Sequence, residues 1–184
     1  NPLIEKTSKD NDSKKSALLK FDLEEGYFFY PAQFWPHKNQ MRILEALSIL
    51  KKMKTEYKLV LVGSDKGNLS LIQEKIKHLN ISSQVKILGF IDSEDIRSLY
   101  LCSRAVIMPT YFGHTNIPPL EAWWLGVPLI YSEHLCKEFN ESALPVNPDS
   151  AESLAAAMKA IQSKTTRSLL IKNGPPSHDL DGGP

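Results

Sequence analysis

The stretch Ala105-Val-Ile-Met-Pro-Thr-Tyr-Phe-Gly-His-Thr-Asn-Ile-Pro-Pro-Leu-Glu-Ala-Trp-Trp-Leu-Gly-Val-Pro-Leu-Ile-Tyr-Ser132 holds a strand, a loop, a helix and a second strand in succession. Ala105 to Met108 is a short apolar run suited to a strand buried on both faces, and Pro109 ends it. Thr115 and Asn116 can cap a helix that has Pro118 or Pro119 at its first position, where a missing N–H is tolerated, and Gly126 is placed to end it. The N–H groups of Asn116 and Ile117 are then expected at a positive helix end. Just past the C-terminal edge of a parallel strand, such an end can hold an anion through main-chain donors and the helix dipole. Glu121, expected in the first turn, can lean into the same crevice.

Upstream, Gly26 to Tyr30 is a compact aromatic run that reads as a first strand, followed by Pro31-Ala-Gln-Phe-Trp-Pro-His-Lys-Asn39. A helix should follow, with Ile43, Leu44, Leu47, Leu50 and Met53 on one apolar stripe. The intervening turn lacks the Gly-x-Gly-x-x-Gly of a nicotinamide-dinucleotide site. It carries instead a cation, Lys38, close to a helix N-terminus with no acid in the first turn. A positive charge there opposes the helix dipole and costs a few tenths to ~1 kcal/mol, so an anionic ligand is expected to offset it. His37 and Lys66 near the strand ends read as solvated, and Phe34 with Trp35 reads either as the wall of a cleft or as a seam to another domain. Trp123 and Trp124 are assigned to packing.

Lys58 to Gly63 gives a second buried strand and Val85 to Ile91 a third, with a helix between them carrying Leu69, Ile72, Ile76 and Leu79 in register. Asp92 or Ser93 can cap the next helix. Val127 to Tyr131 and Leu144 to Val146 complete the strands; Asp149 with Glu152 resembles a capping box for a helix bearing Leu154, Met158 and Ile161, and a last helix is expected over Thr165 to Asn173. Residues 1–20, rich in Lys, Asp, Asn and Ser, read as a flexible lead-in, 21–173 as the folded domain, and 174–184, with much Gly and Pro, as a disordered tail. Six alternations of strand and helix predict an α/β, Rossmann-like three-layer sandwich with about six parallel strands.

The chain of 184 residues suffices for one domain with a sizeable core. Its net charge of +1 argues against general electrostatic binding of nucleic acid. Cys102 and Cys136 form no metal or redox motif and read as reduced thiols, which suits the cytosol. No apolar run approaches the ~20 residues of a membrane span, and no trio of Ser, His and Asp and no metal-ligand spacing stands out. The chain opens on Asn rather than Met, which suggests a piece of something longer.

From Pro109 to Ile130 the sequence resembles the signature of the retaining glycosyltransferases of the GT-B fold, family 4, the glycosyl transferases group 1. That signature has two glutamates separated by seven residues, the second followed by Ala and then Gly-x-Pro. Glu121 matches the second glutamate, which in the family hydrogen-bonds the ribose of the nucleotide; Gly113 stands where the first, a donor-sugar contact, should be. Some branches carry Gly-x-Thr-Asn-x-Pro in its place, which reads as a variant site. The family also places an Arg at the end of its first strand and a Lys about five residues later, both on the donor diphosphate. Lys38 matches the Lys, whereas Gln33 occupies the Arg position and removes one charge.

The resemblance spans roughly residues 26–162 and implies one half of a GT-B fold, the donor-binding domain. It implies Lys38 and Gln33 as candidate catalytic residues on the diphosphate, and Gly113, His114, Thr115, Asn116 and Ile117 on the donor sugar and phosphates. Glu121 would meet the ribose, and Phe90 with Ile91 the base; Gly63 is a further donor-site position. The expected reaction is transfer of a glycosyl group from a nucleoside-diphosphate sugar with no metal ion or cofactor. An N-terminal domain would complete the site, the acceptor would be a glycan or a membrane-associated glycolipid, and the location cytoplasmic or peripheral on the cytoplasmic membrane face. The competing reading is a catalytically degenerate nucleotide-sugar-binding module, given Gln33 and Gly113.

Overall fold

The computed structural model describes residues 2–113 and 117–172, and their side chains apart from those of residues 2–9, 138 and 140. Six strands form one parallel sheet: β1 (Phe28–Pro31), β2 (Leu59–Val62), β3 (Val85–Leu88), β4 (Ala105–Met108), β5 (Leu129–Ser132) and β6 (Ala143–Val146). Their order across the sheet is β3-β2-β1-β4-β5-β6. Phe28 of β1 lies opposite Leu59 of β2 on one side and Ala105 of β4 on the other. The chain therefore winds outward from β1 through β2 to β3, returns, and starts again at β4. The strand order reverses between β1 and β4, the place where open α/β sheets leave a crevice at the carboxyl ends of their strands.

Among the described residues seven α-helices accompany the sheet: α1 (Pro2–Phe21), α2 (Gln40–Lys52), α3 (Leu69–His78), α4 (Ser93–Cys102), α5 (Ile117–Trp124), α6 (Ala151–Ala160) and α7 (Lys164–Lys172). Right-handed crossovers put α2 and α3 on one face of the sheet and α4 and α5 on the other. α6 packs beside α2, and α1 beside α4. This gives the expected three layers. Because helices cover both faces, β2, β4 and β5 are buried along their whole length, which is why their sequences are continuous apolar runs. β3, at the sheet edge, is only half-buried.

In α2, Ile43, Leu44, Leu47 and Leu50 are fully buried, but Met53 is not the fifth member of that stripe: the helix ends at Lys52 and Met53 is exposed. Leu154, Met158 and Ile161 are buried as expected. The cap of α6 falls one residue later than the sequence suggested. Ser150 accepts the N–H of Ser153 at 3.1 Å, while the Asp149 carboxylate accepts the hydroxyl of Tyr111 at 2.9 Å.

Residues 2–20 are not a flexible lead-in, because they form most of α1. Toward its C-terminal end Ala17 is buried, and Leu18 and Phe21 pack against the core. Two ion pairs, Asp10 with Arg97 at 3.0 Å and Lys20 with Asp95 at 2.5 Å, hold α1 along α4. A helix this polar gains its stability from a tertiary partner rather than from its own residues. The tail expected over 174–184 lies outside the described residues.

Candidate functional site

At the end of β1 the chain turns through Pro36–Lys38, a single tight 3-10 turn, and enters α2 after Asn39. Asn39 has φ 59, a left-handed conformation that Asn tolerates better than other residues with a side chain. Its buried amide group donates to the carbonyl oxygens of Pro109 at 2.8 Å and Pro148 at 2.9 Å. One side chain thus ties the loop after β1 to the loops after β4 and β6.

Other bonds converge on the same turn. The Tyr30 hydroxyl donates to the Lys38 carbonyl at 2.6 Å, and the Tyr111 N–H donates to the His37 carbonyl at 3.1 Å. Buried Thr110 donates its hydroxyl toward the His37 carbonyl at 3.2 Å and the Phe112 carbonyl at 3.0 Å, and its own carbonyl accepts from Ser132 at 2.6 Å. The loop after β4 is therefore a rigid shelf against the Lys38 turn.

Lys38 is half-buried, and that burial pulls its pKa below the ordinary lysine value of 10.5. Neither α2 nor α5 has an acid in its first turn. The crevice at the β1–β4 reversal is thus bordered by a cation and by two positive helix ends.

Three rings flank the turn. His37 stacks on Phe112 with centroids 4.6 Å apart and planes 11° apart, and faces Trp35 at 6.2 Å. Desolvation, and secondarily the neighbouring Lys38 charge, lower the His37 pKa from 6.5. The Trp35 indole N–H donates to the Gln33 side-chain oxygen at 3.1 Å. Gln33 is exposed, and with its oxygen committed to Trp35 its amide nitrogen is the group that can donate to an anion.

Gly63 ends β2, and a Cβ there would stand 2.5 Å from the Ala32 carbonyl oxygen, so only glycine allows this approach of the first two strand ends. Beyond β3, Phe90 projects into solvent with 84% of its surface exposed, whereas Ile91 packs against the core. Ile117 begins α5, exposed, and Gly113 closes the described part of the loop. His114, Thr115 and Asn116 lie outside the described residues.

Glu121 is the fifth residue of α5, one turn deeper than the first turn in which the sequence put it. The hydroxyl of Tyr100, on α4, donates to its carboxylate at 2.5 Å. The structure therefore gathers Gln33, Lys38, Gly113 and Ile117 at the β1–β4 reversal, with Gly63 and then Phe90 and Ile91 further along the same sheet edge.

Sequence reasoning missed Asn39, Thr110, Tyr100 and Asp65. The Asp65 carboxylate accepts the N–H groups of Gly67, Asn68 and Leu69 at 2.8, 3.2 and 3.1 Å and so fills the start of α3. An Asp ahead of an apolar-periodic segment was a readable cap signal. The other three act through contacts that no local pattern announces. A depression of about 410 Å³ lies at the opposite edge, lined by Tyr27, Lys58 and Gln84 among others. Its Lys86 pairs with Asp22 at 3.2 Å. Among the described residues no cluster of His, Cys, Asp and Glu could hold a metal ion, and no helix is long and apolar enough to cross a membrane.

The C-terminal domain of a glycosyl transferase group 1 family protein (LpcC) from Francisella tularensis superposes with TM-score 0.73 at 21% identity, covering 88% of both chains. Anabaena Alr3699/HepE, solved in complex with UDP, superposes with TM-score 0.74 at 18% identity over 88% of this chain and 46% of that one. In sequence the chain is 28% identical to the O-antigen chain mannosyltransferase RfbU of Salmonella typhimurium over 156 residues, 83% of this chain and 43% of the relative. It spans less than half the length of the curated relatives it matches. The six-stranded parallel sheet is that of GT-B glycosyltransferases. The profile of the glycosyl transferases group 1 matches residues 11–175, nearly the whole chain, and the protein belongs to that family.

Proposed function

We propose that this chain is the donor-binding part of a retaining hexosyltransferase of family 4. It would take a nucleoside-diphosphate sugar and, with an N-terminal domain, pass the sugar to a glycan or a lipid-linked acceptor. The observation that carries the reading is Lys38: a half-buried cation of lowered pKa, on a braced turn at the strand reversal, beside two helix starts without acids. Breaking a glycosyl–phosphate bond builds charge on the departing diphosphate. Donors already aimed at that charge stabilise it without reorganisation, and no metal ion or cofactor is needed for this.

In this reading Lys38 and the Gln33 amide nitrogen contact the diphosphate, Gly113 to Ile117 the sugar and phosphates, Glu121 the ribose, and exposed Phe90 with Ile91 the base, near Gly63. UDP in the Anabaena structure and mannosyl transfer in the name of the Salmonella relative favour a nucleotide-linked hexose. The O-antigen relatives favour polysaccharide assembly, with the enzyme cytoplasmic or resting on the cytoplasmic membrane face. The fragment alone binds nucleotide without turning over. A second reading, a binding module without catalysis, is favoured by Gln33 itself, which offers the diphosphate an uncharged amide.

Calorimetric titration of UDP, GDP, ADP and dTDP tests the donor site. One diphosphate should bind, and Lys38→Ala should weaken it by about tenfold to a hundredfold, the size of one charge-assisted hydrogen bond. Unchanged affinity in that variant would sink the assignment. Transfer activity of a two-domain protein would remove the second reading.

A further inference from the structure

We propose that Tyr100 is a positioning residue for nucleotide binding: from beneath the site it holds the Glu121 carboxylate in the orientation that receives the two ribose hydroxyls. The inference rests on the reading of Glu121 given above. Glu121 is solvent-exposed, and an exposed glutamate samples many rotamers. Here one oxygen, Oε2, accepts the Tyr100 hydroxyl at 2.5 Å. Tyr100 itself cannot move away: it is 1% exposed, and its ring meets Phe29 of β1 edge to face, 5.0 Å between centroids.

The direction of the side chain is set by the helix. α4 runs from the C-terminal edge of the sheet toward the other edge, and helical side chains lean back toward the helix N-terminus. Tyr100, two residues before the end of α4, therefore reaches up toward the crevice and meets Glu121 one turn below the start of α5. Burial, and then the facing carboxylate, raise the Tyr100 pKa far above 10, so the phenol stays protonated and can only donate to Glu121. A carboxylate has about four acceptor positions, and Tyr100 uses one. The remaining oxygen is left pre-oriented for a vicinal diol, so the ordering entropy is spent before the nucleotide arrives.

A purely structural tie between α4 and α5 would stabilise the fold without regard to the ribose. Titration of UDP, GDP and ADP, each beside its 2′,3′-dideoxy counterpart, separates the two roles in the unsubstituted chain, Tyr100→Phe, Glu121→Ala and the double variant. Tyr100→Phe keeps the ring contact with Phe29 and should weaken the ribonucleotide by ~10-fold while leaving the dideoxy nucleotide unchanged. In the Glu121→Ala background the same change should add nothing further, because the residue acts only through that carboxylate. Equal losses for both nucleotides, no loss at all, or additive losses in the double variant would each reduce Tyr100 to a structural tie. If Glu121→Ala loses the ribose preference and Tyr100→Phe does not, this inference falls alone. If the unsubstituted chain binds none of UDP, GDP, ADP and dTDP, the donor-site reading falls and takes this one with it.

Discussion

Two kinds of helix start coexist on this sheet. α3, α4 and α6 begin with acids or caps: Asp65 fills the first, Glu94 and Asp95 sit in the first turn of the second, and Ser150 with Glu152 closes the third. α2 and α5, the two that border the β1–β4 reversal, have no acid in their first turn, and α2 is preceded by a lysine. Ends closed by acids or caps contribute to folding, whereas an end with no acid in its first turn keeps its positive dipole for an anion. The difference identifies which end of which helix is for a ligand more directly than pocket shape does.

The bracing that holds the reserved ends is the first thing to break. Asn39→Ala deletes two buried hydrogen bonds and places a less suitable residue at φ 59, so it should cost about 2–3 kcal/mol in a denaturant titration, with anion affinity falling as the Lys38 turn loosens. Closing a reserved end is next. Ile117→Asp puts an acid at the exposed first residue of α5, and by the dipole alone it should raise stability by about 0.5 kcal/mol while weakening diphosphate binding by at least severalfold. A variant that is both more stable and equally tight would erase the distinction between the two kinds of end.

Opening a filled end gives the smallest effect on the ligand. Backbone donors, led by the N–H groups of Leu69 and Gly67, hold the Asp65 pKa below its ordinary 3.8. A carboxylate with a depressed folded pKa adds stability above its unfolded pKa, and that stability is lost as pH falls through the folded value. Asp65→Ala should therefore lower the melting midpoint at neutral pH, flatten its decline below about pH 4, and leave diphosphate affinity where it was. A drop in affinity would show that α3 also serves the ligand.

What was legible and what was not follows from the range of the interactions. β2, β4 and β5 announced themselves because a strand covered on both faces must be apolar throughout. Lys38 stood out because its misfit with a helix end is a local property. α1 did not, since the worth of Ala17, Leu18 and Phe21 near its end depends on packing against a core made of distant residues. The bonds of Asn39 to Pro109 and Pro148 span 70 and 109 residues, and that of Tyr100 to Glu121 joins two helices. Side-chain pairs of this kind leave no periodic trace.

By itself, then, the sequence determined the order of strands and helices, the apolar layers and the chemistry available at each strand end, because these follow from burial and capping within a few residues. Only the tertiary structure decided that the loops after β1, β4 and β6 meet through Asn39, that Gln33 turns its oxygen to Trp35, and that Tyr100 stands under Glu121. Those pairings depend on where the crossovers set the helices over the sheet, and that geometry belongs to the chain as a whole.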